Sequence, residues 1–216
     1  MHDNRSIAAM RKEYQLKSLE EKDVDPNPLI QFDNWWQEAV HHGVNEPNAM
    51  TLATCNAAGK PSARIVLLKG ITTTGFIFYT NYESRKAHEL AEVSFAALVF
   101  FWKEQERQIR VEGQVRKVSE KESDEYFSVR PRESQLGAWS SPQSKVIESH
   151  ELLQQNMKKY YDQFNGKPVP RPPFWGGYIV EPSLIEFWQG KPGRLHDRLQ
   201  YSLDENKDWI IHRLAP

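Results

Sequence analysis

The chain has 216 residues and a formal net charge of −1, and 39% of its side chains are hydrophobic, which fits one soluble globular domain. The near-neutral charge disfavours a nucleic-acid binder, and the single cysteine excludes an intramolecular disulfide and a cysteine-based zinc site. Apolar runs are too short to span a membrane, and the charged N-terminus lacks the apolar core of a signal peptide. We therefore expect a cytoplasmic protein.

The N-terminal part of the chain predicts an arm followed by a helix. Residues 1–20 are highly charged, with a short polar helix over 7–19, and we expect them to form an arm or lid beside a single domain of residues 21–216. Two prolines at residues 25–28 break the chain and start a helix. Its apolar stripe, which should face the core, consists of Leu29, Phe32, Trp36 and Val40.

From Ala49 the apolar period changes to two, which is typical of strands. Strands are predicted over 50–54, 62–69, 76–80, 94–102 and 108–112. The stretch 94–102 is nearly all apolar and is expected to be buried on both faces. Ser84 is placed to act as the N-cap of a short helix over 85–90. Short connections between these strands indicate an antiparallel meander.

The second half of the chain predicts two helices and the end of the sheet. Ser119 and Glu122 form a capping box that opens a helix through Val129. A longer helix over 144–164 has an apolar stripe assigned to the core, made of Ile147, Leu152 or Leu153, Met157, and Tyr160 or Tyr161. Further strands are predicted over 178–180, 185–188 and 194–199, with a final hairpin around 204–207. The predicted class is α+β, an antiparallel barrel or sheet of seven or eight strands with surrounding helices.

Two of four cationic clusters occur in the first half of the chain. Strand parity puts Arg64 and Lys69 on opposite faces, so contact with one ligand would need strand twist or a bulge. Otherwise they serve two different ligands or are the charged ends of a buried strand. The second cluster combines hydroxyl groups with two cations at a helix N-terminus, an arrangement that favours a phosphate group. Its members are Tyr79, Thr80, Ser84, Arg85 and Lys86.

The other two clusters lie in the second half. Tyr126 and Arg130 are four residues apart, with Arg132 and Ser134 just beyond, which suggests a second phosphate cradle or an ordinary solvated helix end. After an apolar strand that ends in Trp188, a single extended strand would place three side chains on one face, either for an anionic ligand or as a solvated edge with Asp197 as partner. These are Arg194, His196 and Arg198.

Familiar catalytic motifs are missing from the sequence. It contains no Gly-x-Gly-x-x-Gly fingerprint, Walker loop, Gly-x-Ser-x-Gly elbow or His-Glu-x-x-His metal motif, and no metal site is predicted. Two phosphate-type clusters beside a tryptophan, without acid–base machinery, favour a phosphorylated substrate and a redox cofactor that brings its own chemistry.

Several separated motifs together resemble the pyridoxine 5′-phosphate oxidase family, FMN enzymes of vitamin B6 metabolism. The motifs extend from residues 10–14 (Met-Arg-Lys-Glu-Tyr) to the terminal Arg-Leu-Ala-Pro, and include 64–69, 84–87, 130–135, 174–177, 187–190 and 194–198. The resemblance implies an antiparallel split β-barrel that binds FMN, in a homodimer with FMN at the interface. It also implies oxidation of pyridoxine 5′-phosphate and pyridoxamine 5′-phosphate to pyridoxal 5′-phosphate by O2, with release of H2O2 and, from the amine, ammonia.

The resemblance also implies which residues bind each ligand. FMN would be bound by Arg64, Ile65, Val66, Leu67, Leu68, Lys69, Tyr79, Thr80, Arg85, Lys86, Gln108, Gln143, Ser144, Trp188 and Arg198. The substrate would be bound by Arg11, Lys12, Glu13, Tyr14, Lys69, Tyr126, Arg130, Ser134, Arg194, Leu195 and His196. Arg194 and His196 would be catalytic, covering and orienting the pyridine ring, while Arg11 and Tyr14 would close the pocket. The alternatives are a related FMN oxidase of another aromatic metabolite, of the phenazine type, and a flavin-binding protein without enzyme activity.

Overall fold

The computed structural model describes Tyr14 and residues 18–216. The predicted helix over 7–19 falls almost entirely outside these residues. None of the helices in the described part of the chain is long and apolar enough to cross a membrane.

The described residues form five α-helices around a nine-stranded sheet. The helices are α1 (Pro28–His41), α2 (Arg85–Glu92), α3 (Glu120–Ser128), α4 (Arg132–Ser140) and α5 (His150–Gln163). The strands are β1 (Ala49–Cys55), β2 (Pro61–Leu67), β3 (Gly70–Ile71), β4 (Phe76–Asn81), β5 (Phe95–Trp102), β6 (Arg107–Lys117), β7 (Trp175–Gln189), β8 (Asp197–Leu203) and β9 (Trp209–Arg213).

The strand order is β2-β1-β5-β6-β7-β4-β3, and β8 pairs with both β7 and β9. The pairs β1–β2, β3–β4, β4–β7, β7–β8 and β8–β9 are antiparallel. The predicted α+β class with an antiparallel sheet and surrounding helices is therefore confirmed, with one or two more strands than expected.

Packing divides the chain into two compact units. The first contains the described residues up to Pro47 together with Val99–Val111 and Leu184–Pro216, and the second contains Asn48–Leu98 and Glu112–Ser183. The predicted division into an arm, residues 1–20, and one domain, residues 21–216, is a different partition and stays a prediction.

Helix α1 belongs to the first unit and begins where the prolines predict. Asn27 caps it by accepting a hydrogen bond from the backbone N–H of Leu29. The predicted core stripe is correct for Phe32 but wrong for Val40, which is 51% exposed. Trp35 takes the inward position, because its ring meets Phe187 edge-on at 5.1 Å. Because residues 35 and 36 are both tryptophan, helical spacing allows either one to face the core. Which of them is buried depends on the side chain it packs against, here Phe187.

Strand β5 is not buried on both faces as its apolar sequence predicts. Its side chains alternate in burial, and Phe95 and Phe101 are more than half exposed. An apolar run shows that a strand can be buried, but it does not show what covers its second face. Strand β6 alternates as predicted.

The helices of the second unit differ from the prediction at α4 and α5. The capping box of α3 forms as expected, with Ser119 and Glu122 bonded reciprocally. A separate helix, α4, follows Pro131 and was not predicted. Helix α5 starts at 150 rather than 144, and none of its side chains is fully buried. Tyr160 of the predicted stripe still packs against the core cluster that contains Leu136 and Phe164, and its ring lies 5.4 Å from that of Trp139 on α4.

The prediction that Arg194, His196 and Arg198 share one strand face is wrong. Pro192–Arg194 forms a single 3-10 turn, and the strand begins only at Asp197. Gly193 and Arg194 both have φ of 65°, the left-handed region that breaks an extended strand. The turn at Pro192 and Gly193 therefore determines the backbone conformation here, and the alternation of residues 194–198 does not form a strand. The final hairpin, β8–β9, forms as predicted.

Candidate active site

A cavity of about 850 Å³ lies within the second unit, a size that suits a small-molecule ligand. It is bounded by β2, β4, α2, α3, α4 and the segment after α4. Most of the predicted cofactor and phosphate residues line it: Arg64, Ile65, Val66, Leu67, Lys69, Tyr79, Thr80, Arg85, Lys86, Tyr126, Arg130, Ser134, Gln143 and Ser144. The two phosphate-type clusters predicted from separate segments therefore meet in one cavity.

Strand β2 and the segment directly after it supply one wall of this cavity, with Arg64 on the strand and Lys69 beyond its end. Strand parity does not apply to Lys69 because β2 ends at Leu67. The backbone N–H groups of Leu68 and Lys69 then bond to the carbonyls of Asn48 and Ile77, each at 2.8 Å. Leu68 itself is buried and is not among the lining residues.

Lys86 is a buried cation at the start of α2. Its Nζ donates to Thr80 Oγ1 at 3.1 Å, Ser84 Oγ at 3.2 Å and Gln143 Oε1 at 3.2 Å. Burial, followed by the charge of Arg64, lowers the pKa of Lys86 to about 8, against an opposing effect of Glu89. Ser84 occupies the predicted N-cap position, but its hydroxyl accepts from Lys86 rather than from the helix backbone.

The buried carboxylate of Glu89 lies behind the cations of β2 and α2. It accepts from Arg85 Nε at 2.8 Å, Arg64 Nη2 at 3.3 Å, Ser62 Oγ at 2.6 Å and Thr54 Oγ1 at 2.5 Å. Burial raises the pKa of Glu89, but these hydrogen bonds outweigh burial and lower it to about 2. Glu89 is therefore a permanent anion in the neutral pH range.

A stack of aromatic rings forms another wall of the cavity, and Arg130 lies over it. The ring of Tyr79 lies 3.9 Å from that of Tyr126 and 5.5 Å from that of Trp175, with all three nearly parallel. Gly177 on β7 lies opposite Tyr79 on β4, and a Cβ there would come within 2.7 Å of the Tyr79 ring. Burial raises the pKa of Tyr79 to about 12, so its hydroxyl stays protonated.

Arg130 lies over this stack, with its guanidinium carbon 4.6 Å from the centre of the Trp175 ring. Its Nη1 is buried and has no hydrogen-bond partner within the described residues. Burial lowers the pKa of Arg130, although a guanidinium stays charged at neutral pH. A buried, charged donor without a partner is unfavourable unless a ligand supplies the acceptor.

The charge of the cavity indicates an anionic ligand. Among the described residues that line it, five are cationic and none is acidic, and they are Arg64, Lys69, Arg85, Lys86 and Arg130. Hydroxyl and amide groups accompany the cations, and apolar side chains complete the wall. This combination fits ligands that carry phosphate groups on a largely apolar ring system.

Several other predicted ligand-binding residues in the described part of the chain belong to the first unit. Trp188 on β7 and Arg198 on β8 are directly opposite in the antiparallel register. Arg198 donates through Nε at 2.8 Å and Nη2 at 3.1 Å to the buried carboxylate of Glu186, and through Nη1 to the carbonyl of Ala215. The ion pair with Glu186 raises the pKa of Arg198 and holds its side chain in place.

His196 lies in an aromatic group with Tyr14 and Trp188. The His196 ring is 4.7 Å from Trp188 and 5.8 Å from Tyr14, and Tyr14 packs against Gly190, where a Cβ would come within 2.6 Å of its ring. The backbone N–H of Lys191 donates to His196 Nδ1 at 3.1 Å. Burial and the charge of Arg194 lower the pKa of His196. The imidazole is therefore neutral, with its proton on Nε2.

The remaining predicted residues are distributed as follows. Gln108 is half-buried on β6 in the first unit, and Arg194 and Leu195 are exposed there. Arg11, Lys12 and Glu13 lie outside the described residues.

Sequence patterns did not predict two residues that shape the cavity, Trp175 and Glu89. Trp175 lies within a motif that carries the family resemblance, whereas Glu89 lies one helical turn after Arg85, a spacing that is common on exposed helices and gives no signal of burial.

Two family models match the chain. Residues 36–164 match the model described as pyridoxamine 5′-phosphate oxidase, and residues 175–216 match the one described as the pyridoxine 5′-phosphate oxidase C-terminal dimerisation region. A curated pyridoxine/pyridoxamine 5′-phosphate oxidase from a Cyanothece species is 55% identical over 211 residues, covering 98% of this chain and 99% of the relative. Another, from Paraburkholderia phymatum, is 54% identical over 211 residues, with coverage of 98% and 99%.

Solved structures share the fold. PhzG from Burkholderia lata, in complex with tetrahydrophenazine-1-carboxylic acid, superposes with a TM-score of 0.89 at 32% identity, covering 95% of this chain and 100% of that one. A pyridoxamine 5′-phosphate oxidase-related, FMN-binding protein from Nostoc punctiforme has a TM-score of 0.68 at 16% identity, with coverage of 86% and 97%, which shows the fold alone. The predicted split-barrel fold is confirmed.

Proposed function

Because the chain belongs to the pyridoxamine 5′-phosphate oxidase family, we propose that it oxidises pyridoxine 5′-phosphate and pyridoxamine 5′-phosphate to pyridoxal 5′-phosphate, using FMN and O2. H2O2 is the second product, and the amine substrate also releases ammonia. The observation that carries the proposal is the meeting of two cationic clusters, around Lys86 and around Arg130, in one cavity. A phosphorylated cofactor and a phosphorylated substrate that react with each other need two such clusters close together.

The residues of the cavity fit FMN. A buried Lys86 with neutral partners, beside Arg64 and Arg85, suits a phosphate dianion at the N-terminal end of α2. The backbone of residues 64–69 would follow the rest of the cofactor, with Tyr79, Thr80, Gln143 and Ser144 around its phosphate side. We assign Leu68, Gln108, Trp188 and Arg198 to FMN from the family resemblance. When bound, FMN supplies the redox chemistry by accepting a hydride equivalent from the substrate and passing electrons to O2.

The substrate phosphate is assigned to the other end of the cavity. Lys69, Tyr126, Arg130 and Ser134 line the cavity, and the buried Nη1 of Arg130 has no hydrogen-bond partner within the described residues. Contacts to this phosphate are remote from the carbon that is oxidised. Their binding energy can therefore be used to position the reacting carbon rather than to change its chemistry.

Arg194 and His196 are assigned to the substrate ring. A neutral His196 with its proton on Nε2 can donate a hydrogen bond to a ring oxygen, while Arg194 would cover the ring and stabilise negative charge that develops on it. The contact of Tyr14 with His196 and Trp188 supports placing Tyr14 on the substrate side. Arg11, Lys12 and Glu13 are assigned to the same side from the resemblance.

We also propose that the protein is a homodimer with FMN at the subunit interface. The match of residues 175–216 to a dimerisation region supports the dimer. The single cysteine, which cannot form an intramolecular disulfide, supports a location in the cytosol.

One specific observation favours a second candidate function. The match to PhzG in complex with tetrahydrophenazine-1-carboxylic acid raises an oxidase of another aromatic metabolite as the alternative. Arg130 and Ser134 argue against it, because a carboxylated ring without a phosphate group leaves this phosphate cradle unused. A flavin-binding protein without enzyme activity is the other alternative.

One assay separates the three functions. The purified protein loaded with FMN is incubated aerobically with pyridoxine 5′-phosphate, unphosphorylated pyridoxine or tetrahydrophenazine-1-carboxylic acid, and pyridoxal 5′-phosphate and H2O2 are measured. We expect both products in equal amounts from the phosphorylated substrate and little turnover of pyridoxine. Turnover of tetrahydrophenazine-1-carboxylic acid alone would favour an oxidase of the phenazine type. A protein that binds FMN but oxidises none of the three compounds would favour a flavin-binding protein without enzyme activity.

A further inference from the structure

Glu89 connects three elements behind the cationic wall of the cavity. Its Oε2 accepts from Thr54 on β1 and from Ser62 and Arg64 on β2, while its Oε1 accepts from Arg85 on its own helix. The residue is 5% exposed and does not line the cavity, whereas both arginines do. The sequence motifs assign it no role.

We propose that Glu89 is a positioning residue for the FMN phosphate, which fixes the guanidinium groups of Arg64 and Arg85 on the cavity wall without contacting the cofactor itself. The inference rests on the proposed function, because it concerns the phosphate end of the FMN site.

Electrostatics explains why a carboxylate is needed at this position. Three cations, Arg64, Arg85 and Lys86, converge at one end of the cavity and repel one another when no ligand is bound. A buried anion that binds two of them holds their side chains in place before the cofactor arrives. With Glu89 included, the cluster has a net charge of +2, which matches a phosphate dianion.

Glu89 also acts on Lys86 through space. The charged and polar groups around Lys86 are Arg64 on β2, Thr80 on β4, Ser84 at the N-cap of α2, Glu89 on α2, and Gln143 after α4. The charge of Glu89 raises the pKa of Lys86 and partly offsets the effects of burial and of Arg64. A phosphate dianion binds the protonated lysine, so the affinity for FMN should fall as the pH rises through the pKa of Lys86 in the unliganded protein.

A purely structural role for Glu89 is the competing explanation. The hydrogen bonds from Thr54 and Ser62 to Glu89 tie α2 to β1 and β2 and do not depend on a ligand in the cavity. The same helix provides a matched control, because Glu92 accepts the backbone N–H of Ala57 at 2.9 Å and ties α2 to the β1–β2 turn. Glu92 is exposed and lies outside the cavity lining.

The test compares wild type, Glu89→Gln and Glu92→Gln as FMN-free proteins. Dissociation constants for FMN and for riboflavin, which lacks the phosphate group, are measured by flavin fluorescence between pH 6 and 10. For Glu89→Gln we expect FMN binding to weaken about tenfold at pH 8 and riboflavin binding to change by less than about twofold. The pH at which FMN affinity falls should also move down, whereas Glu92→Gln should match wild type in both respects.

Three results for folded proteins would overturn the inference. Equal losses for FMN and riboflavin, or a loss without a shift of the pH midpoint, would make Glu89 a structural tie. If wild type binds neither flavin, the proposed function fails and the inference fails with it, whereas unchanged FMN binding by Glu89→Gln removes the inference alone. Should Glu89→Gln not fold, Glu89→Asp keeps the charge but shortens the side chain, and we expect weaker FMN binding with an unchanged pH midpoint. Wild-type affinity in Glu89→Asp would contradict the positioning role.

Discussion

At the scale of single residues, Arg130 is the side chain whose surroundings point most directly to an anionic ligand. It combines a buried Nη1 that has no partner in the described part of the chain with a stacked position over Trp175. A structural arginine at this depth would have its donors paired, as those of Arg107 are by Glu38 and Gln189.

Replacing Arg130 by alanine should weaken substrate binding without removing the cofactor. Because hydrogen bonds to a charged group contribute about 1.5–3 kcal/mol, the KM for pyridoxine 5′-phosphate should rise by about 10- to 100-fold. Steady-state kinetics and the flavin absorbance of the purified variant measure the two effects. Lys121→Ala on the preceding helix, α3, is the control, because its side chain is 85% exposed and lies outside the cavity lining. Loss of FMN from Arg130→Ala with an unchanged KM would assign Arg130 to the cofactor instead.

Residue identities and spacing predicted the ligand-binding side chains better than they predicted the acid that supports them. Lys86 and Arg130 stand out in the sequence because cations in such positions need an anion. Glu89 does not stand out, since an acidic residue four positions after an arginine on a helix is common at protein surfaces. Its importance depends on burial, and burial depends on the packing of α2 against β1 and β2.

At the scale of elements, helix α3 shows how a local signal positions a ligand-binding residue. Its capping box joins Ser119 and Glu122, with the serine hydroxyl accepting at 3.2 Å from the Glu122 N–H. The helix carries Tyr126, and its last turn leads into Arg130, whose N–H bonds to the carbonyl of Phe127. The N-cap Ser119 and the cavity-lining Tyr126 are about two helical turns apart. The contribution of the capping box to stability can therefore be tested separately from ligand binding.

Replacing Ser119 by alanine should destabilise the protein by about 1 kcal/mol, the usual effect of losing an N-cap. Chemical denaturation of wild type and variant at equal flavin occupancy measures this difference, and the KM should remain unchanged. Ser128→Ala is the matched control near the other end of the helix, where the hydroxyl donates only to the Glu125 carbonyl. An equal loss in both variants would mean that the capping box contributes nothing specific.

Predictions failed where turn chemistry or tertiary contacts override a local pattern. Alternation over 194–199 predicts a strand, but Gly193 and Arg194 adopt positive φ values and delay β8 to Asp197. The sequence predicts a helix through Val129 and none directly after it, yet α4 begins after Pro131 and supplies Ser134 to the cavity. In both cases a proline or glycine supports more than one backbone path, and only long-range packing selects between them.

At the scale of the whole molecule, the fold class and the function follow from motifs spread along the chain. No single segment specifies the cavity, because its lining comes from residues between 62 and 175. The antiparallel pairing of β4 with β7 brings Tyr79 beside the 174–177 motif, and the segment after α4 brings Gln143 to Lys86. Sequence patterns predicted the strands and the clusters, whereas the order of strands in the sheet and the stacking of Tyr79, Tyr126 and Trp175 required the structure.

The most direct test of the account is the anaerobic absorbance spectrum of the FMN-loaded protein during titration with pyridoxine 5′-phosphate. If the protein is this oxidase, we expect the visible flavin band to bleach with one substrate per FMN. The oxidised spectrum should return when O2 is admitted. Unphosphorylated pyridoxine at the same concentration should leave the band almost unchanged, because it cannot use the Arg130 cradle. A flavin band that persists in the presence of saturating pyridoxine 5′-phosphate would contradict the account.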